Sequence, residues 1–171
     1  VTIHKSSGLF DIRQHVKNLS KCNPMTLQYM CHLCYAYKNN ATLTSNIPDN
    51  AFMLRTSIPA HVHPTPTWIK FTDELKKSGK PITNLDDPNN YNPEIVFFTK
   101  DLRDYVKEAE FRMKFDKDHE FLTRFDTKNL PIVTRWILYN ADQQVAAFAL
   151  PGTSTPEGRN AAKKAGTLIM L

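Results

Sequence analysis

The sequence has little of the material from which nucleotide sites and disulfide frameworks are built. Its five glycines are dispersed, so no glycine-rich loop is available to cradle a phosphate group, and no P-loop, dinucleotide-binding or GxSxG motif occurs. Three cysteines are an odd number, and they provide neither a paired disulfide framework nor the four ligands of a structural zinc site. We therefore expect buried, reduced thiols in a cytoplasmic protein.

Long apolar runs and clustered charge are also missing. No apolar run reaches the roughly 18 residues that a membrane-spanning helix needs, and no basic region followed by an apolar core opens the chain. The net charge is only +5, and the basic residues are scattered. Because a nucleic-acid interface concentrates its basic residues, we expect neither a membrane nor a nucleic-acid partner.

What the sequence does contain is a series of about ten short strand patterns separated by turn residues. Prominent examples are Phe10–Val16, Met25–Tyr37, Glu94–Thr99 and Ile132–Asn140. This series predicts an all-β antiparallel sandwich or barrel within a single domain spanning residues 1–171. Helical periodicity is confined to residues 71–78, where we expect Thr72 to cap a short helix, and to residues 158–165.

The stretch Leu130–Gly158 is the clearest strand pair. An aromatic strand, Ile132–Asn140, leads through a polar turn into Val145–Leu150, which ends in the polar loop Pro151–Gly158. Binding groups are often presented by such a loop at the rim of a sheet.

His32 lies within Met25–Tyr37, a nearly apolar segment that we expect to be covered on both faces. A buried imidazole must be hydrogen-bonded, so one interpretation is a satisfied core histidine. The other is a proton donor that points at a ligand-binding sheet face.

His61 and His63 are two residues apart in a proline-rich loop, so an extended backbone would place them on one face. That spacing is also used by metal-binding cupin barrels, but no glutamate follows at the expected distance. Hydrogen bonding to a polar ligand and a plain surface location are the alternatives. Trp68 offers a flat face that could stack on a sugar ring, although aromatic residues at strand spacing more often belong to the core.

Four segments together resemble the galactose mutarotase-like superfamily, specifically its aldose 1-epimerase-like branch, formerly a domain of unknown function. They read GLFDIRQHVKNLS, MTLQYMCHLCYAY, PEIVFF and QQVAAFALPGTSTPEGRNAAKKAGTLIML. The resemblance implies an antiparallel β-supersandwich that binds a monosaccharide on a concave sheet face without a cofactor. It also implies that this chain is the C-terminal portion of a larger domain, which agrees with the apolar strand pattern that runs to Leu171.

The resemblance implies aldose 1-epimerase-type opening and closing of a sugar ring, an isomerase activity that needs an acid and a base. His32 matches the position of the acid. The family places its catalytic glutamate directly before a proline, but Leu150 stands before Pro151 here. Glu157 is the nearest carboxylate that could substitute, and a relocated base would have to recover the geometry.

We also expect four residues to bind the sugar: His61, His63, Trp68 and Arg135. Because Leu150 replaces the expected base, the main alternative is a non-catalytic carbohydrate-binding or regulatory module. A further alternative is a cupin-like metal-binding protein that uses the two neighbouring histidines.

Overall fold

The computed structural model describes residues 1–60 and 62–171 and confirms an all-β, antiparallel fold. Two α-helices accompany the strands, α1 (Pro66–Ser78) and α2 (Arg159–Lys164). The eleven strands of the described residues are β1 (Thr2–Ile3), β2 (Phe10–Asp11), β3 (Thr26–Leu27), β4 (Thr42–Ser45), β5 (Phe52–Leu54), β6 (Ile95–Thr99), β7 (Glu108–Lys114), β8 (Glu120–Asp126), β9 (Ile132–Tyr139), β10 (Gln144–Gly152) and β11 (Ile169–Met170).

The chain forms two compact units. The first consists of Val1–Leu27 with Ile169–Leu171 and contains two small antiparallel pairs, β1 with β2 and β3 with β11. The strand predicted over Phe10–Val16 is short in the structure, because regular pairing ends at Asp11. Its apolar side chains are exposed rather than half-buried. Our expectation of a single domain across the chain stays a prediction.

The second unit, Gln28–Leu168, contains two antiparallel sheets that share one hydrophobic core. The larger sheet has the order β10-β9-β6-β5, and the smaller has the order β4-β7-β8. Strand β7 shows why they pack: Ala109, Phe111 and Met113 are fully buried, whereas Glu110 and Arg112 between them are not. This alternation covers one face of the smaller sheet and leaves the other in solvent.

The predicted strand pair within Leu130–Gly158 is confirmed as β9 and β10, which pair antiparallel. The register shifts between Ala147 and Leu150, so β10 carries a bulge. Every residue of β6 is buried, as are the first four residues of β9. The larger sheet is therefore covered on both faces near its centre.

The expectation that Met25–Tyr37 is a long strand covered on both faces is wrong. After β3, the chain runs irregularly along the edge of β10, with isolated bridges from Met30 to Gly152 and from Ala36 to Val145. We call residues 28–37 the edge segment. Its side chains alternate between partly buried and exposed from position 31 onward, because only one face meets the core.

Two consequences follow for polar side chains of this region. His32 is exposed, so the interpretation as a core histidine is wrong. The three cysteines are free thiols, but Cys22 and Cys34 are exposed and only Cys31 is partly covered, so the expectation of buried thiols is wrong as well.

The predicted helix begins earlier than expected. Thr65, not Thr72, is the N-cap, and its side chain accepts a hydrogen bond from the backbone N–H of Trp68 at 3.2 Å. Pro66 stands at the first helical position, where a missing N–H costs nothing. Gly79 ends the helix with a φ of 63°, as the sequence predicts. No helix among the described residues has the length and apolar character needed to cross a membrane.

Candidate functional site

The larger sheet presents one face on which aromatic and polar side chains meet. We call it the Trp136 face. Cα pairing across β6, β9 and β10 places six side chains on it. They are Val96, Phe98, Thr134, Trp136, Ala147 and Leu150.

Glu94, directly before β6, is fixed at this face by side chains distant in sequence. The indole Nε1 of Trp136 donates a hydrogen bond to its Oε2 at 2.6 Å, and Arg55 forms an ion pair with its Oε1. The indole Nε1 of Trp68 donates to the backbone carbonyl of Glu94 at 2.7 Å. Both members of the ion pair are mostly buried, so a charge-assisted hydrogen bond holds the carboxylate in place.

His32 of the edge segment joins this cluster through Trp136. The two rings meet edge to face, with centroids 5.5 Å apart and an interplanar angle of 69°. The imidazole Nδ1 lies 3.0 Å from the Sγ of Cys34. Within the described part of the chain, Nε2 has no hydrogen-bond partner, and the side chain is exposed. It is therefore available to a ligand as a donor or acceptor.

A cavity of about 380 Å³ reaches the Trp136 face at Phe98. Arg55 and Glu157 provide charged groups in its lining, and Ser57, Ile58, Pro59 and Pro156 complete it. Glu157 is exposed, and its Oε2 accepts a hydrogen bond from the hydroxyl of Thr155 at 3.0 Å. Arg55 both lines the cavity and pairs with Glu94, so successive contacts connect the cavity to Trp136 and His32.

Leu150 lies on the Trp136 face and is only 1% exposed. Its register partner on β9 is Thr134. A buried leucine can neither accept nor donate a proton, so this position supplies apolar packing where the resemblance implies a base.

The remaining predicted site residues lie in different environments. Trp68 is buried in the first turn of α1, where its N–H supports Glu94, so its ring is not an open stacking surface. His63 is exposed. His61 lies outside the described residues.

Arg135 precedes Trp136 in β9, and successive residues of a strand leave opposite faces. Its side chain is 2% exposed and lies on the core side, 4.8 Å from the centroid of the Phe52 ring. The structure therefore does not bring Arg135 together with His32 and Glu157. Desolvation lowers its pKa to about 10.

The sequence interpretation missed Glu94 and Arg55. A carboxylate directly before four apolar residues was the available signal for Glu94, since a charged group at the end of a buried strand needs a partner. Its partners lie 39 and 42 residues away in the chain, which local patterns do not show.

The cupin-like alternative requires His61 and His63 to bind a metal ion together with further ligands. Across residues 1–60 and 62–171, no three His, Cys, Asp or Glu side chains are grouped so as to hold a metal ion. Since His61 lies outside those residues, the cupin-like alternative stays a prediction.

Comparison of the chain with models of known protein families, with curated proteins and with solved structures finds no match.

Proposed function

We propose that this protein binds a monosaccharide in the cavity bounded by Arg55, Phe98 and Glu157, as a mutarotase-like carbohydrate-binding protein. One observation carries the proposal. A cavity of about 380 Å³ with a cationic and an anionic side chain in its lining adjoins a sheet face on which an indole, an imidazole and a fixed carboxylate are in successive contact.

The size and lining of the cavity suit a sugar. Its volume falls at the lower end of the range typical of small-molecule sites, which extends from about 300 to 1,000 Å³. Arg55 and Glu157 supply a donor and an acceptor for hydroxyl groups, and Phe98 supplies an apolar surface for the ring. The resemblance to mutarotase-like proteins supports the same ligand class.

Epimerase-type catalysis is the second candidate, and the exposed Nε2 of His32, which has no hydrogen-bond partner among the described residues, favours it. In that reaction a base removes the proton of the anomeric hydroxyl, and the C1–O5 bond breaks as the carbonyl forms at C1. His32 gives a proton to O5. Reclosure on the other face of the carbonyl returns both protons and yields the other anomer.

We rank binding above catalysis because the site offers a candidate acid, His32, but no carboxylate that is well placed to act as the base. Leu150 is apolar and buried. Both carboxylate oxygens of Glu94 already accept from protein donors. Glu157 is the remaining candidate, but it lines the cavity, whereas His32 does not line it and connects to it through the successive contacts of Trp136, Glu94 and Arg55. The non-catalytic alternative therefore explains more of the geometry.

Saturation-transfer NMR with a panel of aldoses tests binding. We expect at least one aldose to receive saturation from the protein, and we expect Glu157→Gln to weaken that signal. Glu74→Gln, an exposed carboxylate of α1, serves as the matched control and should leave it unchanged. Absence of transfer to every aldose, or equal effects of the two variants, would contradict the proposal.

Exchange spectroscopy between the anomers of a bound aldose tests catalysis. If the protein exchanges the anomers faster than buffer alone does, and His32→Ala abolishes this acceleration, the result would support the epimerase hypothesis. Binding without acceleration would identify the protein as a non-catalytic carbohydrate-binding module.

A further inference from the structure

A second cavity, on the core side of the larger sheet, is lined by the buried side chain of Arg135. The guanidinium of Arg135 is buried and donates two hydrogen bonds, from Nε to the carbonyl of Phe148 at 3.1 Å and from Nη1 to the carbonyl of Ile82 at 2.7 Å. Both acceptors are neutral. Among the described residues, no carboxylate lies within 4 Å of this guanidinium, so the charge is desolvated without an ion pair.

Burying an unpaired charge is costly, and proteins normally pair such a group with a counter-ion. Desolvation lowers the pKa of Arg135 only to about 10, so the group stays cationic at neutral pH. Asp49 attracts it and acts in the opposite direction, but Asp49 is exposed and lies beyond ion-pair distance. Three of the five guanidinium N–H groups remain without a protein acceptor in the described part of the structure.

The space beside this guanidinium has room for a small ligand. The cavity has a volume of about 210 Å³, and its lining includes Arg135, Asp49, Ser45, Thr83 and Phe52. This volume is below the range of about 300 to 1,000 Å³ in which drug-sized ligands bind, so a compact ligand fits best.

We propose that Arg135 holds a small oxyanion, a phosphate or a carboxylate group, in the cavity between Asp49 and Thr83. The planar fork of guanidinium N–H groups matches the paired oxygens of both groups. This site is separate from the proposed sugar cavity, because Arg135 and Trp136 leave β9 on opposite faces. Its test is therefore independent of the proposed function.

The carboxylate of Asp49 should repel the bound anion, which gives the proposal a sharp test. Removing its charge in Asp49→Asn, and reversing it in Asp49→Lys, should tighten binding by about two- to fivefold per unit of charge. Asp104→Asn and Asp104→Lys are matched controls, because Asp104 is also exposed and also belongs to a 3-10 turn, yet it does not line this cavity. These surface substitutions leave the core intact.

The experiment titrates the protein with inorganic phosphate and, separately, with acetate, using chloride at equal ionic strength as the reference. Melting temperature and calorimetric heat are the two readouts. We expect a saturable effect of at least one oxyanion above the chloride reference, tightened by the two Asp49 variants and unchanged by the two Asp104 variants.

Two outcomes would overturn the proposal. One is the absence of any oxyanion effect above chloride. The other is an effect that responds equally to substitutions at positions 49 and 104, which would reveal diffuse attraction to a basic protein. Arg135→Gln adds a third check if it folds, since undiminished oxyanion binding in that variant would also be decisive against the site.

Discussion

Glu94 is the residue on which the Trp136 face depends. The chain has two tryptophans, and the indole N–H groups of both donate to this residue, one to the carboxylate and one to the backbone carbonyl. Arg55 completes the arrangement with a mostly buried ion pair. When one partner of such a pair is removed, the other is left desolvated, so the cost exceeds that of a surface pair.

We therefore expect Glu94→Gln to lower the free energy of unfolding by about 1–3 kcal/mol, because it leaves the charge of Arg55 without its partner. Urea denaturation followed by tryptophan fluorescence measures the change, and the emission of both indoles should shift. Asp101→Asn is the control, since the pair of Asp101 with Arg103 is more exposed and should contribute less to stability. A loss in Glu94→Gln no greater than in the control would contradict this role.

At the scale of elements, the edge segment depends on one close approach to β10. A Cβ atom added to Gly152 would lie 2.8 Å from the backbone carbonyl oxygen of Tyr29, a contact that requires one of the two chains to move. The neighbouring backbone hydrogen bond from Thr153 to the same carbonyl, at 2.9 Å, would be strained by that movement. The glycine is required by space here, not by its φ angle.

Gly152→Ala should accordingly destabilise the protein by about 1–3 kcal/mol, the usual cost of an overpacked site. Hydrogen exchange should show that amides of the edge segment lose protection. Gly8→Ala is the matched control, because nothing lies within 4 Å of a Cβ added there. Equal stability of the two variants would show that the edge segment accommodates the methyl group without cost.

The outer face of β7 and β8 carries a ladder of ion pairs formed by Glu110, Arg112, Glu120 and Arg124. The direction in which pH changes its contribution to stability follows from the pKa of Glu110. Hydrogen bonds from Arg124 first, and then from Arg112, lower the pKa of Glu110 below its ordinary value of 4.5. A carboxylate with a lowered pKa in the folded state stabilises the protein above its unfolded pKa, and that contribution is lost as the pH falls through the folded value.

The urea midpoint of the wild type should therefore exceed that of Glu110→Gln at pH 7, and the difference should shrink as the pH falls below 4.5. High salt should reduce the difference at pH 7 as well, because the ladder is solvent-exposed. A difference for Glu110→Gln that grows toward acidic pH would refute the assignment.

For the whole molecule, the sequence was sufficient for the fold class but not for the site. Alternation in β7 and the turn-bounded pair β9 and β10 indicate antiparallel sheets, because the side-chain period of a strand is visible locally. The exposure of His32 was not predictable, since an apolar run does not show which of its faces another element covers. The partners of Glu94 were not predictable either, because tertiary packing alone brings them together.

The cavity beside Phe98 leads to the central claim that this protein binds a monosaccharide. Because both tryptophans donate to Glu94, and Glu94 pairs with Arg55 at the cavity, tryptophan emission should report occupancy. The most direct measurement is a fluorescence titration of wild type, Ser57→Phe and Thr56→Phe with the aldose that gives the strongest NMR response. Ser57 lines the cavity, whereas its exposed neighbour Thr56 does not.

We expect saturable emission changes in the wild type and in Thr56→Phe. Because the larger side chain of Ser57→Phe fills the cavity, that variant should lose affinity at least tenfold, which corresponds to about 1.4 kcal/mol. Equal affinity in all three proteins, or no saturable change in any of them, would contradict the central claim.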